Sequence, residues 1–190
     1  MNEIISKPLN LNCGGACVHY LFTRRLKIQE QSIPDMYWAI EIASFIKNIT
    51  GLVVKVYCYN SSLMNDYNKK KMRINSVAYK SIQKYYKSGG SIIIKNPEIS
   101  FLRNICEKNF IIVCISLKHF YQDENLVGGH FIVIDDYCKG KFIIINPKRN
   151  KIVKEKVDEL HLINSLNKFG NWIIEIVPGN KQIVDEDLMM

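Results

Sequence analysis

Three side chains of this chain have the types and spacing to do chemistry together: Cys13, His130 and Asn146. Cys13 stands in Asn12-Cys13-Gly14-Gly15-Ala16-Cys17, which opens an apolar stretch with helical spacing. A cysteine at a helix start is a candidate thiolate, because the unpaired N–H groups and the helix dipole favour negative charge there. To attack, it needs a base, and the base needs a partner that orients it. His130 opens the apolar run Gly129-His130-Phe131-Ile132-Val133-Ile134, and Asn146 closes the run Lys141-Phe142-Ile143-Ile144-Ile145-Asn146. With a turn centred near Cys138, the two runs make a hairpin in which positions 130 and 146 are opposed. Directly opposed side chains have Cβ atoms about 4.5–5.5 Å apart, within reach of an imidazole–carboxamide hydrogen bond. The chemistry implied is acyl transfer by a Cys-His-Asn triad.

Each residue also has a plainer role. Cys13 can be a small buried residue at a helix start, and His130 a hydrogen-bonded histidine at a strand start. Asn146 can simply begin a turn with Pro147. His119 is a rival base, with Asp135 sixteen residues after it. Cys17, one turn beyond Cys13, reads as core, and Cys58, Cys106, Cys114 and Cys138 are scattered without metal-ligand spacing. No metal site and no cofactor are expected, and the thiols read as reduced.

The elements that must position these residues follow from pattern. Gly14 to about Leu26 reads as a helix, and Asp35 is expected to cap a second one through about Asn48, stopped by Gly51. Leu52 to Tyr59 is a strand, Asn60 to Asn75 is polar and at best partly helical, and Ser76 to Lys87 is a third helix. Ser91 to Lys95 is a short strand, and Pro97 can start a helix through Cys106. Phe110 to Leu117 is apolar on both faces, as a central strand must be. After the hairpin, Asp158 to Asn167 is helical and Asn171 to Val177 is a last strand. Helices first and antiparallel strands later predict an α+β fold, N-terminal helices packed on a C-terminal antiparallel sheet. That is the two-part layout of the papain-like cysteine protease fold. A single domain over residues 1–178 is expected, with a disordered tail over 179–190.

Bulk properties narrow the classes. The 190 residues are 47% hydrophobic and 23% charged, ordinary for one globular domain. No apolar run approaches the roughly 20 residues that span a bilayer, and Met1 to Leu11 lacks a signal-peptide core, so a cytoplasmic protein without membrane contact is expected. The net charge of +8 permits an acidic partner, but Lys69-Lys70-Lys71-Met72-Arg73 and Lys148-Arg149-Asn150-Lys151 carry no interleaved aromatics. They read as solvated faces, not as a nucleic-acid surface. Nothing sets the oligomeric state.

The motifs carry a resemblance. Asn12-Cys13-Gly14-Gly15-Ala16-Cys17 resembles the Asp-Cys-Gly-x-Ala-Cys nucleophile motif of the bacteriocin-processing, double-glycine leader peptidases. Gly129-His130-Phe131-Ile132-Val133 with Asn146-Pro147 resembles their histidine and Asp-Pro block. A fuller match is to a sister family, the guanylyl cyclase domain-containing proteins, with Trp38-Ala39-Ile40-Glu41-Ile42-Ala43 resembling their Trp-Thr-Ile-Asp-Leu-Ala segment. The likeness runs from about Asn10 to Pro178 and implies a papain-like fold with Cys13, His130 and Asn146 as the triad. Those families place a Gln six residues before the nucleophile, where it helps to form the oxyanion hole. Here that position is Lys7, and Asn10 or Asn12 can supply the carboxamide instead.

Three function classes stay open. The first is a cysteine peptidase, amidohydrolase or acyltransferase acting on a peptide or acyl-carrying substrate. The second is a catalytically silent binding module on the same fold, for which Lys7 in place of Gln is the motive. The third is the nucleotide cyclisation that the family name implies. It ranks last, because Asp135 and Asp136 are adjacent on a strand and point to opposite faces, and no phosphate-cradling Gly-rich loop is present.

Overall fold

A computed structural model describes residues 3–6, 11–29, 32–59, 62–69, 76–149, 151–167 and 172–178. Its elements, in chain order, are β1 (Glu3–Ser6), α1 (Cys13–Tyr20), α2 (Ala39–Thr50), β2 (Val53–Cys58), α3 (Ser62–Asn68), α4 (Val77–Lys87), β3 (Ser91–Ile94) and α5 (Ile99–Cys106). There follow β4 (Phe110–Ser116), α6 (Leu117–Tyr121), β5 (Gly129–Cys138), β6 (Lys141–Pro147), β7 (Lys151–Asp158), α7 (Glu159–Asn167) and β8 (Ile173–Val177). The tail 179–190, Lys7 and Asn10 lie outside the described residues.

The strands form one eight-stranded sheet in the order β1-β7-β6-β5-β4-β8-β2-β3. Only β2 and β3 run parallel; the other neighbours are antiparallel, so the sheet is mixed. The α+β class holds, but the expected segregation does not. Strands β2 and β3 come from the first half of the chain and extend the sheet, and helices cover both of its faces. One core joins Cys17, Val18 and Leu21, Ile42 and Ile46 of α2, and Ile82 of α4 to Ile112, Phe131, Val133 and Ile145. The other joins Leu102 of α5, Phe120 of α6, and Leu162 and Leu166 of α7 to Ile111, Ile115, Ile132 and Ile144. The physical reason lies in β4 and β5. Their apolar residues alternate onto both faces, and an Ile or Val left in water on either face forfeits about 1.5–3 kcal/mol, so both faces need a cover. Among the described residues no helix is long and apolar enough to cross a membrane.

Local chemistry explains how α1 sits. The Asn12 Oδ1 accepts the Gly15 N–H at 2.9 Å, which makes Asn12 the N-cap and Cys13 the first helical residue. A Cβ on Gly14 would stand 2.3 Å from the Met36 carbonyl oxygen, so only glycine lets α1 lie this close to the 34–36 segment. Asp35 does not cap α2, as the sequence predicts; Trp38 occupies that place, and Asp35 accepts the Asn12 N–H at 2.8 Å. The carboxylate of Glu41 does the capping work at α2, accepting the N–H groups of Tyr37 and Trp38 at 3.1 and 3.2 Å. Beyond Tyr20 the helix continues as a π turn, Leu21–Arg25.

Candidate active site

The β5–β6 hairpin turns at Lys139 and Gly140, both with positive φ (51° and 78°), as a tight two-residue turn of this hand requires. That turn lies beyond Cys138, and a bulge between Ile134 and Asp136 takes back one residue. The resulting register pairs Val133 with Ile145 and Ile134 with Ile144. Continued by one step, it sets Asn146 across from Ile132. Asn146 is therefore diagonal to His130, not opposed to it as the sequence spacing predicts. Diagonal neighbours on one face remain within reach of long side chains. The bond forms: His130 Nε2 and Asn146 Oδ1 lie 2.8 Å apart, with Asn146 fully buried and His130 nearly so.

Two further side chains complete the cluster. Asn146 Nδ2 donates to the Tyr121 hydroxyl at 2.9 Å and to Glu155 Oε1 at 2.5 Å. Glu155 Oε2 lies 3.5 Å from the Lys148 ammonium. Sequence reasoning missed both Tyr121 and Glu155, because neither α6 nor β7 was expected. A signal existed for the second. Val153, Glu155 and Val157 alternate along β7, which places a carboxylate where the pattern asks for an apolar side chain.

Cys13 is half-buried and packs with the α1–α2 core. Cys114 on β4 feels both Cys13 and the backbone of His130. Burial pushes the Cys114 thiol up to about 12; the Cys13 thiol pushes the same way, and the backbone N–H of His130 pulls against both. Pairing also assigns faces. Cys114 pairs with Phe131 on the α1 side, whereas Ile115 pairs with His130 and lies in the core covered by α5, α6 and α7. The structure thus joins His130 directly to Asn146. It brings Cys13 to the same end of β4 and β5 from the other face, through Cys114.

Other candidates have bonds of their own. Asn12 carries its carboxamide between α1 and the 34–36 segment, with Nδ2 donating to the Met36 carbonyl at 2.9 Å. His119 Nδ1 lies 2.9 Å from the Ser116 hydroxyl at the start of α6. Its supposed partner Asp135 faces α1 instead and accepts from the Tyr20 hydroxyl at 2.9 Å. Asp136 accepts the N–H of Tyr137 at 2.6 Å, so the two aspartates serve different neighbours. A cavity of about 280 Å³ opens beside Asp35 and Met36, with Glu41, Ser44, Asn48 and Lys84 among its walls. Comparison with protein-family models, curated proteins and solved structures finds no match for this chain.

Proposed function

We propose that the protein is a thiol-dependent acyl-transfer enzyme on a papain-like fold, related to the guanylyl cyclase domain-containing proteins and the double-glycine leader peptidases. The observation that carries this reading is the buried 2.8 Å bond between His130 and Asn146, sixteen residues apart on neighbouring strands beside the cysteine-bearing helix. In this reading Nδ1 of His130 takes the Cys13 proton as sulfur attacks the carbonyl of a peptide or acyl-amide substrate. The C–N bond then breaks, and the same proton passes to the leaving amine. Water or a second amine attacks the thioester, returns a proton through His130, and restores the Cys13 thiol. The Cys13 N–H, at the open end of α1, is one oxyanion donor. Asn12, whose Nδ2 spends one hydrogen on the Met36 carbonyl at 2.9 Å, and Asn10 are the two carboxamides proposed for the side-chain donor.

A second reading has its own support. The register aims the His130 ring at the α6 side of the sheet while α1 packs on the other. A binding module on the same scaffold needs no contact between Cys13 and His130; an enzyme requires sulfur to reach Nδ1. An electrophilic peptide probe separates the two. The enzyme reading expects stoichiometric labelling that Cys13→Ala abolishes and His130→Ala slows by about 10²-fold or more. Equal labelling rates in wild type and His130→Ala would establish the binding module.

A further inference from the structure

We propose that Glu155 is a positioning residue that dictates which ring nitrogen of His130 carries the proton. The inference concerns the hydrogen-bond chain Glu155–Asn146–His130, and its catalytic meaning rests on the acyl-transfer reading above. A carboxylate has no donor, so only the –NH₂ end of Asn146 can face Glu155 Oε1 at 2.5 Å. The Tyr121 hydroxyl takes the second hydrogen of the same group at 2.9 Å. With both hydrogens so placed, the carbonyl end of Asn146 has to face His130. A carbonyl has no donor either, so the 2.8 Å contact is a bond only when Nε2 bears hydrogen. The neutral ring is thereby held as the Nε2–H tautomer, and Nδ1 keeps its lone pair for a thiol proton.

An asparagine without Glu155 could not impose this order. A carboxamide is nearly symmetric in shape, and reversing it would present –NH₂ to the ring and select the opposite tautomer. Glu155 breaks that symmetry by charge, and its burial makes the choice firm: its side chain is 19% exposed and Asn146 is wholly enclosed. Lys148, 3.5 Å from Oε2, leaves the other oxygen to Asn146. The result is a relay in which the carboxylate of one residue on β7 sets the proton position two side chains away.

Two-bond ¹H–¹⁵N correlation spectra of the full chain read the tautomer directly, with His130→Gln identifying the signals. Wild type is expected to show Nε2–H and unprotonated Nδ1 at a pH where the ring is neutral. In Glu155→Gln the new amide can turn either end to Asn146, so signals of the Nδ1–H form are expected to appear. Glu155→Asp keeps a carboxylate and should restore a single Nε2–H form. Should Glu155→Gln fail to fold, Glu155→Met, which fills similar space without a carboxylate, takes its place, and a single Nε2–H form there overturns the proposal. An Nδ1–H ring in wild type overturns the proposal, as does an unchanged Nε2–H ring in folded Glu155→Gln. Cys13 labelling by the peptide probe should also slow on the order of tenfold or more in Glu155→Gln, the penalty of a wrong tautomer. A tautomer shift with unchanged labelling would uphold the role of Glu155 and overturn the coupling of Cys13 to His130.

Discussion

Arg25 and Asp135, 110 residues apart in the chain, are joined by two hydrogen bonds to one oxygen: Asp135 Oδ1 accepts from Nε at 2.9 Å and from Nη2 at 2.6 Å. The Asp135 side chain is only 2% exposed, and the Lys154 ammonium lies 3.4 Å from its other oxygen. Arg25 ends the π turn that continues α1, and Asp135 sits at the bulge of β5. This ion pair therefore clamps the helix that begins with Cys13 to the strand that carries His130.

Removing the charge should loosen that clamp. Asp135→Asn leaves Arg25 and Lys154, both about one-third exposed, facing a neutral group. A fully buried pair broken on one side costs about 3–5 kcal/mol; solvent reaching the two cations reduces this to roughly 1–3 kcal/mol. Urea unfolding at neutral pH should show the loss as a lower midpoint with an unchanged slope. A midpoint equal to that of wild type would mean the contact holds no weight.

The cysteines should divide sharply in reactivity. Burial pushes the thiols of Cys58 and Cys106 up to about 11, and that of Cys114 to about 12. A raised thiol stays protonated below its pKa, so these three should resist iodoacetamide at pH 7 to 8 and begin to react only toward pH 11. Cys138 is exposed and will label at an ordinary rate, so a Cys138→Ser background is the right one. There Cys13 should label first, as peptide mapping by mass spectrometry can show. Faster labelling at Cys17 would remove Cys13 from the proposed role.

Asn146→Asp tests the surroundings of the asparagine. A carboxylate accepts the same hydrogen bond from His130, which makes such a change look mild. The structure argues otherwise. The new carboxylate would face Glu155 at the distance where Nδ2 now donates, 2.5 Å. Two carboxylates so close share one proton, and the folded pair's upper pKa rises. His130, Tyr121 and Lys148 also border the pair, Lys148 at 3.5 Å from Glu155 Oε2. The folded state then binds a proton that the unfolded chain releases near pH 4. Stability relative to wild type should thus be highest in acid and fall as pH rises through the raised pKa, by about 1.4 kcal/mol per unit of elevation. Thermal melts of both proteins from pH 4 to 8 measure this, and a constant difference across that range would contradict it.

Gly14→Ala addresses the seat of α1. The added methyl would meet the Met36 carbonyl oxygen at 2.3 Å, a backbone atom with no rotamer to escape by, and Ile42 Cδ1 at 3.0 Å. Overpacking of this kind costs about 1–3 kcal/mol and should displace Cys13. Gly15→Ala, whose nearest contact is 3.1 Å, should cost less. The order of the two melting temperatures is the check.

Much of the site is written locally. Asn12-Cys13-Gly14-Gly15 announces a helix start, and Cys13 is the first helical residue. The apolar runs around Lys139-Gly140 announce a hairpin that carries His130 and Asn146, because turn chemistry and period-two alternation act over a few residues. Phe110 to Ser116 declares itself central by being apolar on both sides, and it lies between β5 and β8.

What tertiary structure alone decided is which neighbours these residues meet. The turn at Lys139-Gly140 carries Asn146 away from His130, and the bulge at Asp135 takes back one residue and returns Asn146 to the face of His130, diagonal to it. The location of the bulge depends on Arg25 and Lys154 arriving from other elements to hold the Asp135 carboxylate. Glu155 looks like one charge among many in Lys151 to Asp158 until β7 pairs with β6 and buries it against Asn146. Likewise, the face that α1 covers is settled by how two cores fill around an already apolar sheet. Periodicity records that a side chain points in or out; it carries no label for the partner, because partner choice is a sum over packing and charge from segments far apart in the chain.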